Sequence, residues 1–287
     1  MANKITGARQ LTRLNSPSLL EADIDAYRRD GYVVPDYRVP AATLERMRQA
    51  LKALQAANPH MTTDFILCPH LPDPSLQKVT GSPEWMTFAT LPDILDMAEQ
   101  LIGPDIILWG TTVFGKPAGT GKKTPWHQDA NYWPMKPAHT CTAWIALDDA
   151  TVENGCLQVI PGSQRNQRYY RHNIDDNGAN TLNQELDAAE FDEAEARPIL
   201  LKAGQVSFHD SFLVHGSEPN RSEHRRAGFV VRLMPGACVW DRRFGVELAK
   251  KSRDIDFESR VLCQVRGKDL TGINDAVDPA TVWPSPR

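Results

Sequence analysis

Mainly β with flanking helices is the fold class this sequence predicts, and three observations carry it. Apolar residues recur three and four apart in the N-terminal third. From Ile106 the texture changes to short runs that alternate or are continuously apolar. Gly, Pro and Asn turn signals stand between those runs. The 287 residues are 41% hydrophobic and 24% charged, which suits an ordinary globular chain. They are read as a single domain, with helices over 1–105, the β core over 106–240 and a C-terminal extension over 241–287.

The elements follow in order. Ser18–Gly31 has a polar start and a glycine at its end, the pattern of a helix with its C-cap. Tyr32-Val33-Val34 is a short strand closed by Pro35. Over Pro40–Ala56, Leu44, Met47, Leu51 and Leu54 share one side, which predicts an amphipathic helix. Residues 57–83 are rich in Pro, Gly and polar side chains and are expected to run over the surface as a lid or binding loop. Leu91–Ile102 is a third helix, stopped by Gly103-Pro104. Strands are then expected at Ile106–Trp109 continuing through Thr111–Phe114, and at Thr142–Leu147, Cys156–Ile160, Val206–Phe208 and Gly228–Leu233. Asn154-Gly155 and Pro161-Gly162 mark strand ends. The acidic, weakly apolar stretch Asn173–Ala196 is expected to be an insertion with some helix.

A net charge of −4 offers no basic field for nucleic acid or an anionic membrane. No run of 18 apolar residues is present, and the polar N-terminus, with Lys4, Arg9 and Arg13, does not resemble a secretory signal. Five scattered cysteines without a CxxC pair suggest reduced thiols in a cytoplasm. A small molecule is therefore the expected partner. Oligomeric state is not legible.

The chemistry concentrates in Thr124-Pro125-Trp126-His127-Gln128-Asp129. His127 and Asp129 are two apart, so an extended strand points both to one face. His215 follows 86 residues later. Two histidines and one carboxylate occupy one face of an octahedral ion and leave three positions, the ligand set of non-haem Fe(II) oxygenases: two for a bidentate 2-oxo acid and one for O2. A 2-oxo dicarboxylate also needs a fixed cation, and Arg226 opens a strand in which parity separates two faces. Arg226, Gly228, Val230 and Arg232 share the polar interior face. Ala227, Phe229, Val231 and Leu233 share an apolar one, and Arg225 falls on that second side. Thr142, Trp144 and Ala146 mix one large group with two small ones, as a barrel does where it leaves room for a ligand.

These residues, with Thr90–Leu95, Lys116-Pro117, Gly121–Thr124, Asn154–Leu157 and His215-Gly216-Ser217, resemble the phytanoyl-CoA dioxygenase family over about Lys78–Leu233. The resemblance implies a double-stranded β-helix of jelly-roll or cupin-like form. It implies Fe(II) held by His127, Asp129 and His215, with 2-oxoglutarate and O2 as co-substrates and succinate and CO2 as products. Arg226 and Ser217 resemble the pair that holds the distal carboxylate of 2-oxoglutarate, and Lys78, Thr112 and Trp144 fall at further co-substrate contacts. The family's Pro-Gly-Ser-His turn ends here in Gln164, which is no ligand position. Related halogenases lack the ligand carboxylate, so Asp129 points to hydroxylation. Asn131, Tyr132, Trp133, Arg232 and Trp240, the last with Arg242, are expected near the substrate. His209 is expected to be structural; His139, His172 and His224 solvated; Lys122-Lys123 an exposed turn. Two other readings use the same triad: a binding module without redox chemistry, and a non-redox cupin-like zinc or manganese enzyme.

Overall fold

The computed structural model describes residues 18–61, 65–72, 78–175, 178–250 and 256–283; the polar N-terminal segment discussed above lies outside them. The expected helices form. Helix α1 (Glu21–Asp30) stops at Gly31, whose φ of 83° lies in the left-handed region and whose N–H closes on Tyr27 O. The short strand β1 (Tyr32–Val33) follows. Helix α2 (Ala41–Ala57) buries Met47, Ala50, Leu51 and Leu54, the face its periodicity predicts.

Residues 57–83 depart from expectation. Phe65–Leu67 forms strand β2, and Ile66, Cys68, His70 and Leu71 are buried. Helix α3 (Pro83–Ala89) sinks Trp85, Met86, Phe88 and Ala89 into the core. The apolar groups here come in runs of two or three between prolines, too short to show a period, yet tertiary contact buries them. Helix α4 (Pro92–Ile102) then ends at Gly103.

Two antiparallel sheets make the jelly roll. The larger has the order β1, β11 (Val206–Asp210), β6 (Cys141–Ala146), β13 (Arg226–Pro235) and β3 (Ile106–Lys116). Strands β2 and β15 (Cys263–Arg266) both lie on the far edge of β3. The smaller has the order β10 (Arg197–Ile199), β7 (Leu157–Val159), β12 (His215–Ser217) and β4 (Thr124–His127). The outer face of the large sheet meets the helices: Ala227, Phe229, Val231 and Leu233 join Ala143, Ile145, Phe208 and α3's Trp85 in one apolar cluster. This is the parity expected of β13.

One irregularity shapes the interior. On β3, Arg232 pairs with Gly110 but Leu233 pairs with Leu108, so Trp109 is an extra residue, a β-bulge. Beyond it the alternation is reversed: Ile106 and Leu108 join the helix-side core, while Ile107 and Trp109 turn to the other side.

The insertion expected over 173–196 has its helix only as 3-10 turns and adds a strand pair that the sequence did not suggest. β8 (His172–Ile174) pairs with β9 (Gln184–Leu186), followed by two short 3-10 turns. The described residues of the C-terminal extension, 241–250 and 256–283, join the core. Strand β15 adds to β3, and between it and helix α5 (Arg242–Ala249) the chain carries Phe257 and Arg260 inward. A further pair joins β5 (Met135–Lys136) to β14 (Val239–Trp240). Among the described residues no helix is long and apolar enough to cross a membrane.

Candidate active site

His127 is the last residue of β4, and His215, the first of β12, pairs with it directly. Gln128 stays extended, but Asp129 already opens a 3-10 turn. The two residues therefore do not share a strand as the spacing suggests; strand end and turn together bring them to one point. Asp129 Oδ1 lies 3.6 Å from His127 Nε2 and 4.0 Å from His215 Nε2. All three side chains are buried, with their ligating atoms within 4.8 Å of one another.

Both imidazoles are fixed from behind. His127 Nδ1 donates to Pro125 O at 2.7 Å and His215 Nδ1 to Leu213 O at 2.9 Å. Each Nε2 therefore presents a lone pair to the site, the tautomer a metal requires. Burial pushes His215 well below the ordinary histidine range and keeps it neutral. Burial alone would push the Asp129 carboxyl up. The imidazoles of His127, His209 and His215 around it, with the Arg232 guanidinium, instead hold it well below the usual carboxylate range. Two imidazoles and one carboxylate with one side open fit Fe(II).

Three supports were not expected from sequence. His209, expected to be structural, stands with its Nε2 3.7 Å from Asp129 Oδ2, where it orients the carboxylate. His172 is not a solvated loop histidine. It lies half-buried on β8, donates to Tyr170 O and accepts the N–H of Gln128 at 3.1 Å, and burial lowers its pKa to about 4. Gln128, wholly buried, also donates to Phe212 O and Arg168 O and accepts from Tyr170 N. The residue between two of the triad members is thus clamped at every polar atom.

Two chambers meet at the triad. The first is lined by Arg226, Ser217, Trp144, Thr142 and His209 among others. The Arg226 guanidinium donates to Gly155 O at 2.6 and 3.1 Å, reaches Ser217 Oγ at 3.4 Å and lies 5.3 Å from the Trp144 ring. Gly155 allows this approach: its φ is 77°, and a Cβ there would sit 2.2 Å from Glu218 O. Lys116, buried and given no role by the sequence beyond the family resemblance, donates Nζ to the carbonyls of Lys122, Ser217 and Glu218. It ties β3 to β12 beside Ser217. Arg225 turns outward to a two-point pair with Asp148.

The second chamber opens on the other side of the triad. It shares Phe114, His127, Asp129 and Arg232 with the first and adds Trp109, Tyr132, Trp133, Phe257 and Arg260. Tyr132, Trp133 and Arg232, expected from the sequence near the substrate, thus line this chamber. Thr112 does not face Arg226; it lines this second chamber and accepts from Arg232 Nη1. Asn131 instead bonds Gln184 Oε1 at 3.1 Å. Trp240 stands behind the wall, its ring 5.3 Å from Trp109 and its N–H on Phe257 O. Arg242 holds the carbonyls of Glu258 and Arg260, which steadies the segment but touches neither chamber. Lys78 is exposed, its carbonyl accepting from His60, and lines neither chamber. Phe65, Leu67, Phe257 and Arg260 went unnoticed because nothing in their local sequence signals burial beside residues so distant.

The family model described as phytanoyl-CoA dioxygenase matches residues 27–228, which include the triad and Arg226. The chain belongs to the phytanoyl-CoA dioxygenase family. Human peroxisomal phytanoyl-CoA dioxygenase is 27% identical over 228 residues, 74% of this chain and 67% of that one. Among solved structures, the non-haem monooxygenase ThoJ in its apo form superposes with a TM-score of 0.64 at 26% identity, covering 86% of this chain and 84% of that one. The epimerase SnoN, solved with Fe3+, α-ketoglutarate and a nogalamycin compound, gives 0.60 at 26% identity, covering 79% and 88%. Phytanoyl-CoA dioxygenase family members use Fe(II), 2-oxoglutarate and O2, and this chain is a non-haem Fe(II)- and 2-oxoglutarate-dependent oxygenase. The binding module and the non-redox cupin-like enzyme give way to that assignment. The side-chain amide of Gln164 donates to Arg28 O.

Proposed function

We propose that the enzyme hydroxylates a C–H bond of a small organic molecule held in the aromatic second chamber, and that its 287 residues act as one catalytic unit. The observation that carries this reading is the intact His127–Asp129–His215 group at the junction of two chambers of different chemistry. Fe(II), with 2-oxoglutarate and O2, supplies the oxidative decarboxylation that yields succinate, CO2 and the hydroxylated product.

The protein's share is positioning. In this reading Arg226 and Ser217 take the distal carboxylate of 2-oxoglutarate, with the Trp144 ring as one wall; a buried guanidinium offers that dianion a charge-assisted fork. His209 and the clamped Gln128 fix the directions from which the triad presents its lone pairs. Tyr132, Trp133 and Trp109 keep water from the reacting carbon. Asp129 fills the position that a chloride would need, which favours oxygen transfer over halogenation. Five buried free cysteines suit a reducing compartment, in our reading the cytoplasm.

Anaerobic titration tests the first half: Fe(II) with 2-oxoglutarate is expected to give a weak visible charge-transfer band, and His127→Ala, Asp129→Ala and His215→Ala to abolish it. A normal band from His215→Ala would sink the triad. Product mass tests the second half, once succinate release has identified a substrate. A gain of one oxygen, labelled from 18O2, is hydroxylation. An unchanged mass would indicate epimerisation, the loss of two hydrogens ring closure or desaturation, and a chlorinated product halogenation; each would overturn the proposal.

A further inference from the structure

Arg232 and Arg260 are 8% and 3% exposed and both line the second chamber. Neither forms a salt bridge with a described residue, and the Nε of each has no hydrogen-bond partner. Arg232 bonds only the neutral Thr112 hydroxyl, and Arg260 the Cys68 sulfur. They are close enough that Arg260, with burial acting first, lowers the pKa of Arg232. Asp129 acts on Arg232 and Asp256 on Arg260 from beyond salt-bridge distance, and two like charges buried side by side without a directly paired carboxylate are costly. Cation–π contact with Trp109 and Trp133, 5.7 and 5.4 Å from the Arg232 guanidinium carbon, softens that cost without cancelling charge.

A charge tally makes the deficit explicit. Among the charged residues lining the chambers, Asp129 is the sole acid, facing Arg226, Arg232 and Arg260. Fe(II) and the 2-oxoglutarate dianion cancel, Asp129 acts on Arg232, and Asp256, outside both linings, acts on Arg260, yet the linings still carry more positive than negative charge. Arg232 and Arg260 both lie past residue 228, where the family match stops.

We infer that the substrate is a small free carboxylic acid with an apolar body, its carboxylate anchored by Arg232 and Arg260 and its body packed on Trp109, Trp133 and Phe257. This rests on the oxygenase reading above and narrows it to a substrate class. Guanidinium forks match a carboxylate in two-point geometry, and the rest of the wall is aromatic. A coenzyme A thioester lacks the charge at its acyl end, so the chamber selects against it.

The test uses the full-length protein under anaerobic conditions with excess 2-oxoglutarate, so that the Arg226 site is filled, with and without Fe(II). Tryptophan fluorescence follows titration with three acids (octanoate, cyclohexanecarboxylate and 3-phenylpropionate) and with the primary amide of each. At least one acid is expected to bind ten or more times more tightly than its own amide. R260Q is expected to reduce that preference to less than threefold, and R260K to keep part of it. No acid preference in any wild-type pair, or one that survives R260Q unchanged, overturns the inference, and the wild-type comparison stands even if a variant fails to fold. The visible band separates the two claims. A normal band without acid preference rejects the anionic anchor alone, and acid preference without a band rejects the oxygenase reading alone.

Discussion

At the scale of single residues, neighbouring arginines make the sharpest contrast. Arg226 points into the first chamber and Arg225 out to Asp148. Arg226→Ala is expected to weaken 2-oxoglutarate binding by about 2–5 kcal/mol, the usual loss when a buried charge partner is removed; Arg225→Ala is expected to change its KM by less than twofold. A reversed pair of KM values would mean that the strand is one residue out of register. This choice was legible in the sequence because the alternation from Arg226 to Leu233 is clean. The role of His70 was not. Buried beside Thr111, it bonds that hydroxyl through Nδ1 at 2.7 Å, and its Nε2 has no partner. Burial, helped by the Arg260 charge, lowers its pKa to about 3. The unfolded chain takes up this proton below about pH 6.5, whereas the folded chain refuses it until near pH 3. Its contribution to stability is therefore constant above 6.5 and falls by about 1.4 kcal/mol per pH unit below it. Urea midpoints measured between pH 6.5 and 4.5 are expected to drop less steeply in His70→Gln than in the wild type. Parallel slopes would exclude His70 as a source of acid sensitivity.

At the scale of elements, β13 and β6 meet through a glycine. A Cβ on Gly228 would lie 2.1 Å from Trp144 Cζ2, so Gly228→Ala must displace the indole that walls the Arg226 chamber. Overpacking of this kind costs about 1–3 kcal/mol. The expected outcome is a raised KM for 2-oxoglutarate with an unchanged circular dichroism spectrum, partly reversed by adding Trp144→Phe. No rescue by the second substitution would separate the effect from the ring. Elements with a long, regular period were legible in advance: α2 and α4, β6 and β13. The bulge at Trp109 was not, because a continuous run such as Ile106–Trp109 looks alike in either phase. Without it, the tryptophan that shapes the second chamber would face the helices.

At the scale of the whole molecule, the triad and Arg226 lie within the stretch whose motifs a reader can find, whereas the second chamber is assembled from pieces far apart in the chain. Phe65 comes from a segment expected to be a surface excursion and Arg260 from one expected to be an extension. Chemistry was therefore legible where ligand types and spacing are demanding, and specificity was not, because it is built by tertiary convergence. The first chamber has a different consequence. Arg226 and Trp144 belong to the large sheet, Ser217 and both histidines to the small one. A molecule gripped by both acts as a rivet between the two leaves of the fold, and its binding free energy is added to the work of prising them apart. At a hundred times its dissociation constant that amounts to about 2.7 kcal/mol. Calorimetry is expected to record a higher Tm in 2-oxoglutarate with metal than in metal alone, and amide exchange to slow at the seam from both sides at once, in β12 and β13 together. Slowing in one strand alone would mean that the leaves part independently of what lies between them.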